Sequence, residues 1–135
     1  RLGCAAGWCD EGWSAGTEVF HLNPALTAQA VRLSRNAELT TSAAATAYAV
    51  RYPAGLPARD APTVVQCDSL AASTYWHGER LSDWAGWWTA RLTGGRGRYC
   101  MSNMEDSGVL TALTRLADAG RADLARVMVL RTASN

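Results

Sequence analysis

The sequence predicts an α/β fold built on a mostly parallel sheet. Three observations predict it. Short runs with strand character recur at 63–67, 98–101 and 126–130. Each run is followed by a polar loop, and apolar residues at helical spacing separate one run from the next. That alternation favours parallel strands with helical crossovers, because a parallel pair cannot be closed by a hairpin.

Residues 1–17 are rich in Gly, Trp and Cys and show no period, so an irregular loop or insertion is expected there, with 18–135 as part of a single α/β domain. Gly16 to Leu22 reads as a short strand or turn. Asn23-Pro24 then starts a helix: Asn caps free amides, and Pro at the first helical position loses no hydrogen bond. Leu26, Ala30 and Leu33 follow at helical spacing. A second, Ala-rich helix runs from Ser42 to about Arg51 and ends before Pro53. Three of the four prolines lie between Tyr52 and Pro62, which reads as a connection.

Thr63 to Cys67 reads as the first buried strand, and Asp68 to His77 as the loop at its carboxyl end. A helix is expected from Glu79 to Leu92, with Leu81, Trp84, Trp88 and Arg91 on one face and Trp87 beside it. Thr93 to Gly97 is a turn, Arg98 to Met101 the second strand, and Ser102 to Asp106 its terminal loop. Val109, Leu110, Leu113, Leu116 and Ala117 mark an amphipathic helix closed by Gly120. A helical turn near Asp123 leads to the third strand, Arg126 to Leu130, and a last loop from Arg131 to Asn135.

Composition narrows the function classes. With 135 residues, 48% of them hydrophobic and 19% charged, the chain has material for a core. A net charge of +1 gives no electrostatic ground for nucleic acid as a partner. All 13 cationic side chains are arginine, which excludes a Schiff-base lysine. The longest uncharged stretches, Val19 to Val31 and Leu39 to Val50, are shorter than the ~18 apolar residues of a membrane span. A soluble chain without a transmembrane segment is expected. It opens on Arg1 without a signal-peptide profile and stops straight after an apolar run, so an internal piece of a longer protein is expected.

Cys4, Cys9, Cys67 and Cys100 fit no zinc spacing, and His21 and His77 are the two histidines; no metal site is expected. We read the cysteines as four small thiols. The alternative is an exported protein, periplasmic or secreted, with pairs Cys4–Cys9 and Cys67–Cys100.

In a parallel sheet the strand-end loops emerge on one edge, where ligands of open α/β sheets bind. Those loops carry Ser69, Tyr75 and Trp76, then Asn103, Met104 and Glu105, then Asn135. Aromatic rings, a carboxylate and an amide in one crevice suit a flat heteroaromatic ring joined to a polyol. Each residue also has a plain structural reading. Tyr75 and Trp76 serve equally as half-buried packing residues, and Glu105 and Asp106 as carboxylates favoured at a helix start. His21 and His77 read as surface residues, and Gly94-Gly95-Arg96-Gly97 precedes a strand, so it is not a phosphate loop. Trp84, Trp87 and Trp88 read as core plus one interface residue, and their density marks a candidate contact between copies in a homo-oligomer.

Three segments, GTEVFHLNPAL from Gly16, CDSLAASTYWHGE from Cys67, and Tyr99 through Asn135 with its SNMEDSG and RTASN stretches, resemble the purine nucleoside permease family. The resemblance covers most of the chain. That family is similar to the nucleoside phosphorylases, which implies a partial three-layer α/β/α sandwich of nucleoside-phosphorylase type. It implies a purine nucleoside as ligand, Met104 packing on its ribose and Glu105 holding the ribose hydroxyls. It further implies Tyr75 stacking on the purine and Asn135 donating to the purine ring as the glycosidic bond breaks, so that Glu105 and Asn135 are the candidate catalytic residues. No cofactor is implied; phosphate or water would attack. N-glycosidic cleavage, as a phosphorylase or nucleosidase, is therefore the main expectation, through an oxocarbenium-like centre near the Glu105 charge. The alternative is an uptake protein that binds nucleoside without turnover. Lipid-spanning carriers need long apolar helices or a closed barrel. These residues predict neither, so a transport role here would be indirect.

Overall fold

The computed structural model describes residues 17–133. The expected loop at 1–16, with Cys4 and Cys9, lies outside the described residues, as do Ser134 and Asn135. In chain order the elements are α1 (Pro24–Ser34), α2 (Ala43–Ala49), β1 (Asp68–Ala71), α3 (Glu79–Leu92), β2 (Tyr99–Asn103) and α4 (Asp106–Asp118). Single 3-10 turns lie at Pro57–Arg59 and Leu124–Arg126. The described residues form two compact units, one of 17–26 with 67–133 and one of 27–66.

The larger unit is mixed α/β around a parallel pair, β1 beside β2. Asp68 stands opposite Tyr99, Ser69 opposite Met101 and Ala71 opposite Asn103. The register slips between Asp68 and Ser69, which leaves Cys100 as the extra residue of a bulge. Asp68 bonds Arg98 twice: its amide donates to the Arg98 carbonyl at 2.7 Å, and its carboxylate accepts from the Arg98 amide at 2.6 Å. A disulfide with Cα atoms 6.0 Å apart ties Cys67, the residue before β1, to Cys100 at the bulge. These two cysteines are therefore not the free thiols the sequence reading preferred.

The first strand starts at Asp68 and not at Thr63. Pairing decides this. The partner strand begins only after the Thr93–Gly97 turn, so the β-branched residues upstream of Asp68 have no neighbour in the ladder. Ser69 consequently lies within β1, and Asn103 is the last residue of β2; both were expected in loops.

Helix α3 connects the strands, packs on β2 and buries Ala85 and Thr89. It ends on Thr93, with Gly94 at φ 61° and the Gly95 amide reaching back to the Ala90 carbonyl at 2.7 Å. Left-handed backbone there favours glycine. Helix α4 closes the same way. Gly120 has φ 68°, and the Arg121 amide donates to the Leu116 carbonyl at 2.8 Å. Leu110 is its buried apolar residue and, with Ala85, makes up the buried apolar core among the described residues.

No third strand forms among the described residues. Residues 124–126 make a 3-10 turn capped by the Asp123 carboxylate. The run from Val127 keeps a strand-like alternation, Val127 and Val129 half-buried, Met128 and Leu130 exposed. It pairs with no strand, and with Val109, Leu110 and Leu113 it borders a groove of about 320 Å³. Of the fold expected, the described residues show mixed α/β with a two-stranded parallel sheet; the three layers implied by the resemblance are not seen among them.

Helix α1 starts as its sequence dictates. Asn23 Oδ1 accepts from the Ala25 and Leu26 amides at 3.0 and 3.3 Å, and Asn23 Nδ2 donates to the Ala125 carbonyl at 2.8 Å. In the smaller unit, Ser42 caps α2 by accepting from the Ala45 amide at 3.0 Å. Arg51 lies over the Tyr48 ring, 5.0 Å from its centroid.

Candidate functional site

The carboxyl end of β2 turns directly into α4, and the turn gathers polar side chains. Asn103 Oδ1 accepts from the Asp106 amide at 3.0 Å, which satisfies one of the free donors of the helix start. Asn103 Nδ2 donates back to Asp106 Oδ2 at 2.8 Å. Ser69, from the neighbouring strand, donates to the same oxygen at 3.4 Å. The other Asp106 oxygen accepts from Arg131 Nη2. That nitrogen also lies 3.5 Å from Glu105 Oε2.

Asp106 is therefore the hub of the cluster. Sequence reasoning set it aside as a helix-start carboxylate, but Asn103 supplies the cap and the Asp106 side chain is turned to Ser69, Asn103 and Arg131. Asp106 is only 8% exposed. A buried carboxylate needs partners on both oxygens, and this one has them. The Asn-x-x-Asp spacing from Asn103 to Asp106 was the available signal.

Arg131 carries the electrostatic balance. Its hydrogen bond to Asp106 raises its pKa above the usual arginine value; partial desolvation opposes this, and the charges of Asp106 and Glu105 add to it. A folded pKa above the unfolded one means that this contribution is complete below the unfolded arginine value. It is lost only as pH rises through the folded value, far on the alkaline side. The guanidinium therefore stays charged across the working range of proteins.

The structure brings Ser69, Asn103 and Glu105 into one network. The Glu105 side chain is 64% exposed and Met104 beside it is exposed, so both are open to a ligand. The aromatic candidates sit in a different setting. Trp76 stacks on Trp84 at 4.6 Å, and Trp84 on Trp88 at 5.5 Å, a ladder of near-parallel indoles. Ser82 Oγ donates to the Trp76 carbonyl at 3.3 Å, while Trp76 Nε1 is buried without a partner. Tyr75 is 64% exposed and stacks on His77 at 5.7 Å. Asn135, the amide candidate, lies outside the described residues.

The unit is mixed α/β, and its charged cluster stands at the carboxyl ends of the parallel pair, the edge at which open α/β sheets bind ligands in general. The model of one family, described as Purine nucleoside permease (NUP), matches residues 6–135. The chain belongs to the purine nucleoside permease family. It is 36% identical over 120 residues to a purine nucleoside permease of Candida albicans, covering 89% of this chain and 30% of that protein. It is 32% identical over 119 residues to a Schizosaccharomyces pombe protein named as a probable purine nucleoside permease, covering 88% of this chain and 34% of that one. The chain thus spans about a third of the length of these relatives. No solved structure matches it. Among the described residues no helix is long and apolar enough to cross a membrane.

Proposed function

We propose that these residues form one side of a purine-nucleoside capture site in an uptake protein, which holds the nucleoside without cleaving it. The observation that carries this reading is Glu105, an open carboxylate at the end of β2, tethered by Arg131 and flanked by Met104. A carboxylate accepts both hydroxyls of a vicinal diol, the feature a ribose offers and a free base lacks. The names of the relatives support nucleoside permeation and say nothing of glycosidic cleavage. Tyr75 is the exposed ring available to a purine face, Ser69 and Asn103 act by holding Asp106, and Asn135 is assigned the purine edge. We assign the site a nucleoside-phosphorylase-like frame on the resemblance of the segments around Cys67 and Met104.

Equilibrium dialysis of the protein with inosine and adenosine, followed by chromatography of the recovered ligand, tests this reading. Saturable binding that Glu105→Ala weakens, with the nucleoside recovered intact, is expected. Release of free hypoxanthine or adenine, with phosphate or in its absence, would replace capture by a phosphorylase or nucleosidase. Absence of saturable binding would remove both.

A further inference from the structure

Glu105 does not hold its place alone. On an exposed stem a glutamate samples several rotamers, and ordering it costs conformational entropy. Its charged partner is Arg131, whose Nη2 lies 3.5 Å from Glu105 Oε2. The same nitrogen is held by Asp106 Oδ1. Asp106 is anchored in turn, because its second oxygen takes Asn103 Nδ2 at 2.8 Å and Ser69 Oγ at 3.4 Å. One buried carboxylate thereby ties β1, the end of β2 and the segment after the last 3-10 turn to a single guanidinium.

We propose that Asp106 is a positioning residue for ligand discrimination. It fixes Arg131, and Arg131 fixes the Glu105 carboxylate for the two hydroxyls of a ribose. The proposal rests on the capture reading above. A carboxylate offers about four acceptor directions, so Arg131 leaves room for two hydroxyls. Arg131 alone, on its extended segment, has no comparable tether: its guanidinium is directed by Asp106. Asparagine at 106 would turn a donor or a weaker acceptor toward Arg131 and release it.

The test compares affinities for inosine and 2′,3′-dideoxyinosine in the intact protein. Hydrogen bonds from the two hydroxyls to a charged acceptor give the wild type a preference for inosine of roughly a hundredfold or more. In Asp106→Asn the preference falls toward one while dideoxyinosine affinity holds. Arg131→Gln behaves the same way, and the double variant is no worse than either single change, because both act through one contact. Arg131→Lys restores part of the preference. A merely structural role would weaken both ligands alike and leave the ratio intact; that result overturns the proposal. If Asp106→Asn fails to fold, Arg131→Gln decides by the same ratio. A wild-type preference that survives in the variants overturns the positioning role alone. A wild type that binds neither ligand overturns the capture reading and the proposal with it.

Discussion

Asn103 and Asp106 bond each other in both directions across the turn from β2 into α4, amide to side-chain oxygen at 3.0 Å and side-chain nitrogen to carboxylate at 2.8 Å. Neither bond is replaceable by water at low cost, since Asp106 is buried. Asn103→Ala removes the helix cap and one carboxylate partner together. A loss of about 1–3 kcal/mol is expected, read as a lower urea midpoint at unchanged slope. Asn103→Asp should be worse, because it sets a second carboxylate against the first.

The Cys67–Cys100 disulfide spans 33 residues. A loop of that length contributes about 4 kcal/mol in the chain-entropy account. Cys67→Ser with Cys100→Ser should lower the melting temperature in the absence of reductant. A tryptic map without reduction should show the two cysteines in one linked peptide; separate peptides would contradict the bridge.

Trp84 stands between Trp76 and Trp88 and stacks on both. Trp84→Ala breaks three aromatic pairs, the two stacks and a tilted contact with Trp87 at 6.3 Å, a loss of about 1.5–4.5 kcal/mol beyond the buried area. Coupled indole signals in circular dichroism should weaken with it, leaving the Trp87–Trp88 pair at 5.9 Å as their source. Trp84→Phe keeps a ring in the ladder and should recover part of the stability but little of the signal.

Gly97 is required by close approach rather than by its backbone angle. A Cβ there would meet Thr93 Oγ1 at 2.7 Å and Thr89 Cγ2 at 3.0 Å. The Gly97 amide already donates to that Thr93 oxygen at 2.7 Å. Gly97→Ala should cost about 1–3 kcal/mol. In a Thr93→Ala background the added cost should shrink, which a double-mutant cycle of unfolding free energies would measure.

The helices were legible because their ends are written in single residues. Asn23-Pro24, Ser42, Gly94 and Gly120 each do what their chemistry dictates, and α3 falls on Glu79–Leu92 as its apolar spacing predicts. The strands were less legible. Thr63-Val64-Val65 has strand composition, but a strand exists only where a neighbour is, and that neighbour pairs with Asp68 and Ser69 instead. For the same reason Arg126 to Leu130 has strand alternation without strand pairing. Glu105 could be picked out as a strand-end carboxylate. Asp106 could not, because an aspartate at a helix start is favoured whether or not it has a further partner. Its contacts with Ser69 and Arg131 join residues 37 and 25 positions away, distances over which local pattern carries no information.

The parallel pairing of β1 and β2 also sets a schedule for synthesis. Arg98 emerges 30 residues after Asp68, to which it bonds. At about 5–20 residues per second the earlier segment waits roughly 2–6 seconds on the ribosome before its mate is made. During that interval Asp68 to Ala71 has no partner strand. A translational pause within the codons of α3 prolongs the wait, and a chaperone that grips extended apolar chain has its opening there.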